Sequence, residues 1–326
     1  MVNTSNGKVM GLAAAVKTFI KSGDHLSIGG FTVNRNPMAA VHEIIRQRID
    51  NLHLYAHSNG QGLDELTGSG AVSKIEIAYS GAGRFAPTCI CFKRKLIENS
   101  IQVEDYTNFQ MALRFLAGAM GVPYLPTTAS LGTDIIDKWG FPAELRQADP
   151  KMASKKLVVA DDPFSRDKTP QKLVLVPAIH PDVTVLHAQQ ADTKGVTRIQ
   201  GLTFADVEQA KASKKVIVTC DELVNAGSLN SDPGANQLPS FCVDAVVHVP
   251  YGAYPTACYG LYDYDAPFLD RYRDMASENR SFDRYVKAYI MDTNDHAGYL
   301  EKACGSRIEL IKADPVTGYS DRINRK

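Results

Sequence analysis

Long apolar runs are missing from this chain. No uninterrupted stretch approaches the ~20 residues that a membrane helix requires, although 44% of the 326 residues are apolar, enough material for a sizeable core. Charge of one sign is missing too: Lys plus Arg number 36 and Asp plus Glu 36, so no net field recruits nucleic acid or an anionic membrane. The six cysteines, Cys89, Cys91, Cys220, Cys242, Cys258 and Cys304, are scattered, with no CxxC pair and no histidine at zinc-ligand spacing. Buried, reduced thiols in a cytoplasmic protein are the reading, with no metal assigned. Nor is a secretory signal expected from the opening residues. Gly11 to Val16 runs directly into Lys17 to Lys21, with Leu12, Val16, Phe19 and Ile20 at helical spacing, which predicts an amphipathic first helix ending at Ser22-Gly23.

What is present is an alternation of strand-like and helical patterns. Leu26–Ile28, Leu52–Ala56, Ile75–Ala78, Leu173–Pro177, Val183–His187, Lys215–Thr219 and Val243–Val249 read as strands. Between and after them, Met38–Gln47, Lys93–Ser100, Asn108–Ala119, Ala205–Ala212 and Arg280–Met291 read as helices. The alternation predicts an α/β fold with an open, mostly parallel, doubly wound sheet flanked by helices. The chain reads as a single domain over 1–326, with a polar, proline-bearing excursion at about 149–171 and a C-terminal helical region from about 270. Because apolar strands resume after the excursion, Leu173–Pro177 is expected to extend the same sheet.

Three glycine-rich turns follow strands. Gly29-Gly30-Phe31 closes the first, where a missing Cβ lets backbone approach a ligand and where free amides near the start of the helix after Pro37 would cradle an oxyanion. Ser58-Asn59-Gly60-Gln61-Gly62 closes the second, and Ser80-Gly81-Ala82-Gly83-Arg84 the third. In an open parallel sheet ligands collect beyond the carboxyl ends of strands, so the three turns are expected to converge on one site. Phe31 is suited to wall an acyl pocket, and Ser58, Asn59 and Ser80 offer neutral donors. Arg84 offers a fork for a carboxylate; equally, it could shield the apolar Phe85-Ala86-Pro87. Glu65, with apolar neighbours at helical spacing, reads as part of a solvated helix face. His57 and His187 read as ordered structural histidines, and the aromatic segment Tyr251–Phe268 as a candidate interface element.

The ordered set Asp24, Gly29-Gly30-Phe31 and Pro37, then His187-Ala188-Gln189-Gln190-Ala191-Asp192, Val216 to Glu222, Tyr251 to Pro255 and Cys258 to Asp265 resembles the α subunits of class I coenzyme A-transferases. Among these it is most similar to the A subunits of glutaconate CoA-transferases, over about residues 10 to 310. The resemblance implies CoA transfer from an acyl-CoA such as acetyl-CoA to a dicarboxylic acid such as glutaconate, with the thioester as substrate and no permanently bound cofactor. It implies a glutamyl-anhydride and glutamyl-CoA ping-pong mechanism whose glutamate lies on a separate B (β) subunit, in an α2β2 heterotetramer. His57-Ser58-Asn59-Gly60 is the nearest local match to that glutamate's SENG-type motif and lacks the glutamate, so no catalytic residue is assigned here. Gly29, Gly30, Phe31, Ser58, Asn59, Gly60, Ser80, Gly81, Gly83 and Arg84 are assigned to substrate binding. Alternatives are a relative repurposed as an acyl-CoA decarboxylase or hydrolase and, third, a non-enzymatic ligand-binding module.

Overall fold

The structure is a computed structural model that describes residues 7–323. In chain order its strands are β1 (His25–Ile28), β2 (Leu52–Asn59), β3 (Val72–Ser80), β4 (Gln102–Asp105), β5 (Tyr124–Thr127), β6 (Val158–Asp161), β7 (Lys172–Pro177), β8 (Val183–Asp192), β9 (Thr197–Arg198), β10 (Lys215–Val224) and β11 (Ala245–His248). The helices are α1 (Leu12–Phe19), α2 (Met38–Arg46), α3 (Gln61–Gly68), α4 (Ile90–Ile97), α5 (Asn108–Met120), α6 (Ala143–Ala148), α7 (Asp206–Ala212), α8 (Ala266–Ala276), α9 (Asn279–Tyr285), α10 (His296–Ala303) and α11 (Ile308–Ile311).

The main sheet runs β11-β10-β8-β1-β2-β3-β4, all parallel, with β9 pairing antiparallel to β8. The chain winds outward from β1 on one side, then returns to wind outward on the other, which is the doubly wound topology expected. Every residue of β1 is buried, as is nearly all of β8, because helices cover both faces. One core packs Leu26, Ile28, Leu54 and Ile75 against α1 to α4 and the C-terminal helices. On the other face, Leu186, Val216 and Val218 pack with Ala210 of α7.

Several expectations are corrected. Leu173–Pro177 does not extend the main sheet: β7 is the centre of a separate antiparallel sheet, β5-β7-β6. Its burial alternates, with Val174 and Val176 packed on Phe115 of α5 and their neighbours more open; such a one-faced strand suits an antiparallel sheet with a solvated side. The excursion accordingly contains a strand, β6. Helix α4 starts three residues earlier than expected because Cys91 and Phe92 are buried and the Phe92 amide donates to Asp64 Oδ1 at 2.8 Å. The last predicted helix changes at Val286 into a π-helical stretch reaching Met291.

Glu65 is not on a solvated face. It is fully buried, 2.9 Å from His42 Nε2, and accepts from the Tyr285 hydroxyl at 2.7 Å. The C-terminal helices lie over α3, burying a face whose two carboxylates they satisfy with tyrosine hydroxyls. Nor is Tyr251–Phe268 a free interface element. Tyr254, Tyr262 and Phe268 are buried in the chain's own core, and Tyr259 alone among its aromatic residues is exposed.

Candidate functional site

Parallel pairing puts the carboxyl ends of β1, β2 and β3 side by side, and the three glycine turns meet there. The Thr32 amide donates to Ser58 O at 3.2 Å and the Gly81 amide to Asn59 O at 3.0 Å. Asn59, fully buried, donates from Nδ2 to Gly29 O at 3.0 Å and accepts from the Leu63 amide at 2.9 Å. Gly60 sits at the crossing point, where a Cβ would lie 2.4 Å from Thr32 O and 3.1 Å from Gly81 O. Gly29 is equally confined: a Cβ would come within 2.3 Å of the Leu186 side chain.

The amides of this junction do not form an open cradle. Gly29 N donates to Val185 O at 3.0 Å, Phe31 N to Asn34 O at 2.8 Å, and Gly30 N to Asp206 Oδ1 at 2.9 Å. Arg35 explains the last bond. Its Nη1 lies 2.6 Å from Asp206 Oδ2 and 3.1 Å from His187 O, and its Nη2 donates to Leu202 O at 2.8 Å. This buried ion pair ties the glycine loop to the start of α7 and engages the donors that the sequence left open. The loop therefore supplies walls.

Those walls border a cleft of about 370 Å3, lined by Val33, Arg35, Leu202, Phe204, Tyr259 and Tyr319 among others. Phe31 stacks on Phe204 beside it, with ring centroids 4.5 Å apart and planes 9° from parallel. Acidic groups bordering the cleft are engaged: Asp206 by Arg35 and Gly30, Asp263 by the amides of Tyr264 and Ser320 at 3.0 and 3.1 Å. Tyr262 also lines the cleft, and its hydroxyl lies 3.3 Å from both His187 Nε2 and Asp221 Oδ2. His187 and Asp221 are themselves 2.7 Å apart. Burial pushes the Tyr262 phenol and the neighbouring Cys258 thiol well up, so both stay protonated at neutral pH. A larger recess of about 480 Å3 lies between the ends of α2 and α3 and the π-helical stretch, at the amino edge of the sheet and away from the glycine turns.

Of the residues singled out in the sequence, Gly29, Gly30, Phe31, Ser58, Asn59, Gly60, Ser80 and Gly81 come together at the strand ends. The Ser58 hydroxyl donates to Asn108 Oδ1 at 2.7 Å, and Ser80 is buried, with its carbonyl accepting from the Cys89 amide at 3.1 Å. Gly83 and Arg84 lie further out on an exposed turn, the guanidinium 5.1 Å from the Phe85 ring centre. His57 is half-buried, 5.8 Å from the Phe31 ring, and burial lowers its pKa. Sequence reading missed the Leu202–Phe204 side of the cleft. The one signal was the apolar pair Leu202 and Phe204 next to Gly201 in the short connection after β9.

Comparison with known proteins agrees with this geometry. Residues 9–249 match the family model described as Coenzyme A transferase. The chain is 39% identical over 312 residues to the A subunit of glutaconate CoA-transferase from Acidaminococcus fermentans, covering 96% of this chain and 97% of that protein. It is 31% identical to the A subunit of 3-oxoadipate CoA-transferase from Pseudomonas knackmussii, covering 90% and 98%. The crystal structure of the Acidaminococcus fermentans glutaconate coenzyme A-transferase superposes with a TM-score of 0.92 at 38% identity, over 97% of this chain and 98% of that one. A variant of the decarboxylase AibA/AibB superposes at 0.69 with 28% identity, over 86% and 99%. The chain belongs to the coenzyme A transferase family.

Proposed function

We propose that this chain is the A-type subunit of a heteromeric CoA-transferase that moves CoA between an acyl-CoA such as acetyl-CoA and a dicarboxylic acid such as glutaconate. The near-complete superposition on glutaconate coenzyme A-transferase, at a TM-score of 0.92, carries the reading. In this reading a B-type subunit supplies the glutamate that attacks the thioester carbonyl. The chain contributes the strand-end glycine turns and the cleft beside Phe31, with Gly83 and Arg84 at the outer rim facing the acid. The engagement of Asp206 and Asp263 by fixed donors supports a borrowed nucleophile, because covalent catalysis needs a carboxylate free to reach the reacting carbon. The CoA thioester is a substrate, no cofactor is retained, and the pair assembles as α2β2 in the cytoplasm. No helix among the described residues is long and apolar enough to cross a membrane.

Assay of CoA exchange between acetyl-CoA and glutaconate, with the chain alone and co-purified with its B-type partner, tests the reading. Turnover is expected for the pair only; turnover by the chain alone overturns it. Likeness to AibA/AibB favours one second reading, decarboxylation of an acyl-CoA. Release of CO2 by the pair without any acceptor acid would select it.

A further inference from the structure

At the amino edge of the sheet, far from the glycine turns, two imidazoles and a carboxylate converge. His25 opens β1 and His53 is the second residue of β2, paired side by side in register, with ring centroids 4.4 Å apart. Asp149 comes from the segment between α6 and β6 and reaches His25 Nε2 at 2.8 Å. One nitrogen of each ring and one Asp149 oxygen all lie within 4.8 Å of one another. Both histidines are buried, 2% and 1% exposed. Neither ring nitrogen of His53 has a partner at hydrogen-bond geometry, a costly arrangement for buried polar atoms.

The surroundings are those of a ligand set. His25 turns its other nitrogen, Nδ1, to the Tyr55 hydroxyl at 2.7 Å. His53 Nε2 lies 3.0 Å from Glu76 Oε1, and Glu76 in turn is held by Arg114 Nη1 at 2.5 Å. The non-ligating nitrogen of a metal-bound histidine is characteristically fixed by an outer partner that sets ring orientation; Tyr55 does this for His25, whereas the Glu76 contact to His53 Nε2 is close but off hydrogen-bond geometry. Asp149 and Glu76 are the carboxylates here, Glu76 facing the guanidinium of Arg114, and Lys151 close by shares Asp182 with Lys214. The Asp149 side chain is 21% exposed, which gives an ion a path in and a fourth position for water.

We propose that His25, His53 and Asp149 form a binding site for a divalent transition-metal ion, zinc foremost. Two imidazoles and one carboxylate with an open position suit Zn2+ rather than Mg2+ or Ca2+, which prefer all-oxygen shells. Ligands at about 2.0–2.1 Å around a tetrahedral ion stand about 3.4 Å apart. The 2.8 Å contact from His25 to Asp149 opens modestly on binding, and the partly exposed Asp149 is the group able to move. Bound there, the ion clamps the inserted segment that carries α6 and β6 to the edge of the main sheet. It lies away from the strand-end cleft and takes no part in the chemistry proposed for it.

The test uses the full chain after chelator treatment, titrated with Zn2+ by equilibrium dialysis with elemental analysis and with Co2+ by absorption spectroscopy. One ion per chain is expected, with the intense visible bands of tetrahedral Co2+, no thiolate charge-transfer band, and a melting temperature that rises with zinc. Outer partners of metal ligands are worth 10–100-fold in affinity, so His53→Gln and Asp149→Asn, which remove ligands, should each weaken binding at least about tenfold and abolish the thermal shift. Asp149→Asn alters a partly exposed side chain and keeps the test open should His53→Gln not fold. Absence of stoichiometric binding overturns the proposal, as does binding unchanged in Asp149→Asn. A thiolate band lost in Cys258→Ser does so too, because it puts the ion at His187, Asp221 and Cys258, the other cluster of metal-ligating groups among the described residues.

Discussion

A single methyl group separates two kinds of glycine in this chain. At Gly60 a Cβ would meet the carbonyl oxygen of Thr32 at 2.4 Å, a backbone atom that moves only if the turns after β1 and β2 move together. Gly83 has a positive φ of 58° but nothing within 4 Å of the same position. Gly60→Ala is therefore expected to destabilise by about 1–3 kcal/mol through overpacking and to lower activity of the assembled enzyme. Gly83→Ala is expected to cost about 1–2 kcal/mol through its left-handed backbone alone and to leave the junction intact. Urea midpoints of the two variants, with turnover measured alongside, check this; equal activity losses would show that the junction is not what matters. The glycines themselves were legible in the sequence as doubled or clustered residues after apolar runs. Their backbone donors were not, because Asp206 and Arg35, which engage or flank them, are 171 residues apart and meet only in the fold.

Elements carry a second kind of hidden information. Helix α3 looks amphipathic, yet Asp64 and Glu65 on it are both buried beneath helices more than 200 residues later, with Tyr272 donating to Asp64 Oδ2 at 2.8 Å. Burial pushes the Asp64 carboxyl up to about 6, against opposing pulls from the Phe92 amide and the Tyr272 hydroxyl. Its ordinary value is 3.8, so the native state holds the proton more tightly than the unfolded chain does. The stabilisation linked to this group is complete below about pH 4 and lost as pH rises through about 6, on the order of 2–3 kcal/mol in all. Asp64→Asn removes the dependence. The difference between wild-type and Asp64→Asn unfolding free energies, followed by urea titration from pH 4 to about 6.5, should fall with pH across that window; a flat difference would place the ionisation elsewhere. Strand and helix periodicity found most elements, but β7 was assigned to the wrong sheet because an apolar run does not say which neighbour it pairs with, and α4 was displaced because its first turn is apolar enough to pass for strand.

At the scale of the molecule, the mostly parallel, doubly wound character of the sheet was legible because parallel pairing requires a crossover and several of the intervening helices are visible as 3.6-residue patterns, whereas the strand order was not, and the short β4 and β9 went unread. The cleft was half legible. Val33 and Arg35 lie in the contiguous stretch that follows Gly29-Gly30, while Leu202, Phe204 and Tyr319 arrive from three-dimensional contact. The reacting carboxylate is the part assigned to another polypeptide, so the most direct measurement is to trap it. The chain and its B-type partner, co-purified, are incubated with acyl-CoA in the absence of acceptor, the thioester on protein is converted with hydroxylamine or borohydride, and the modified residue is located by peptide mass spectrometry. A single modified glutamate in the partner is the expected result; modification of any aspartate or glutamate of this chain would contradict it.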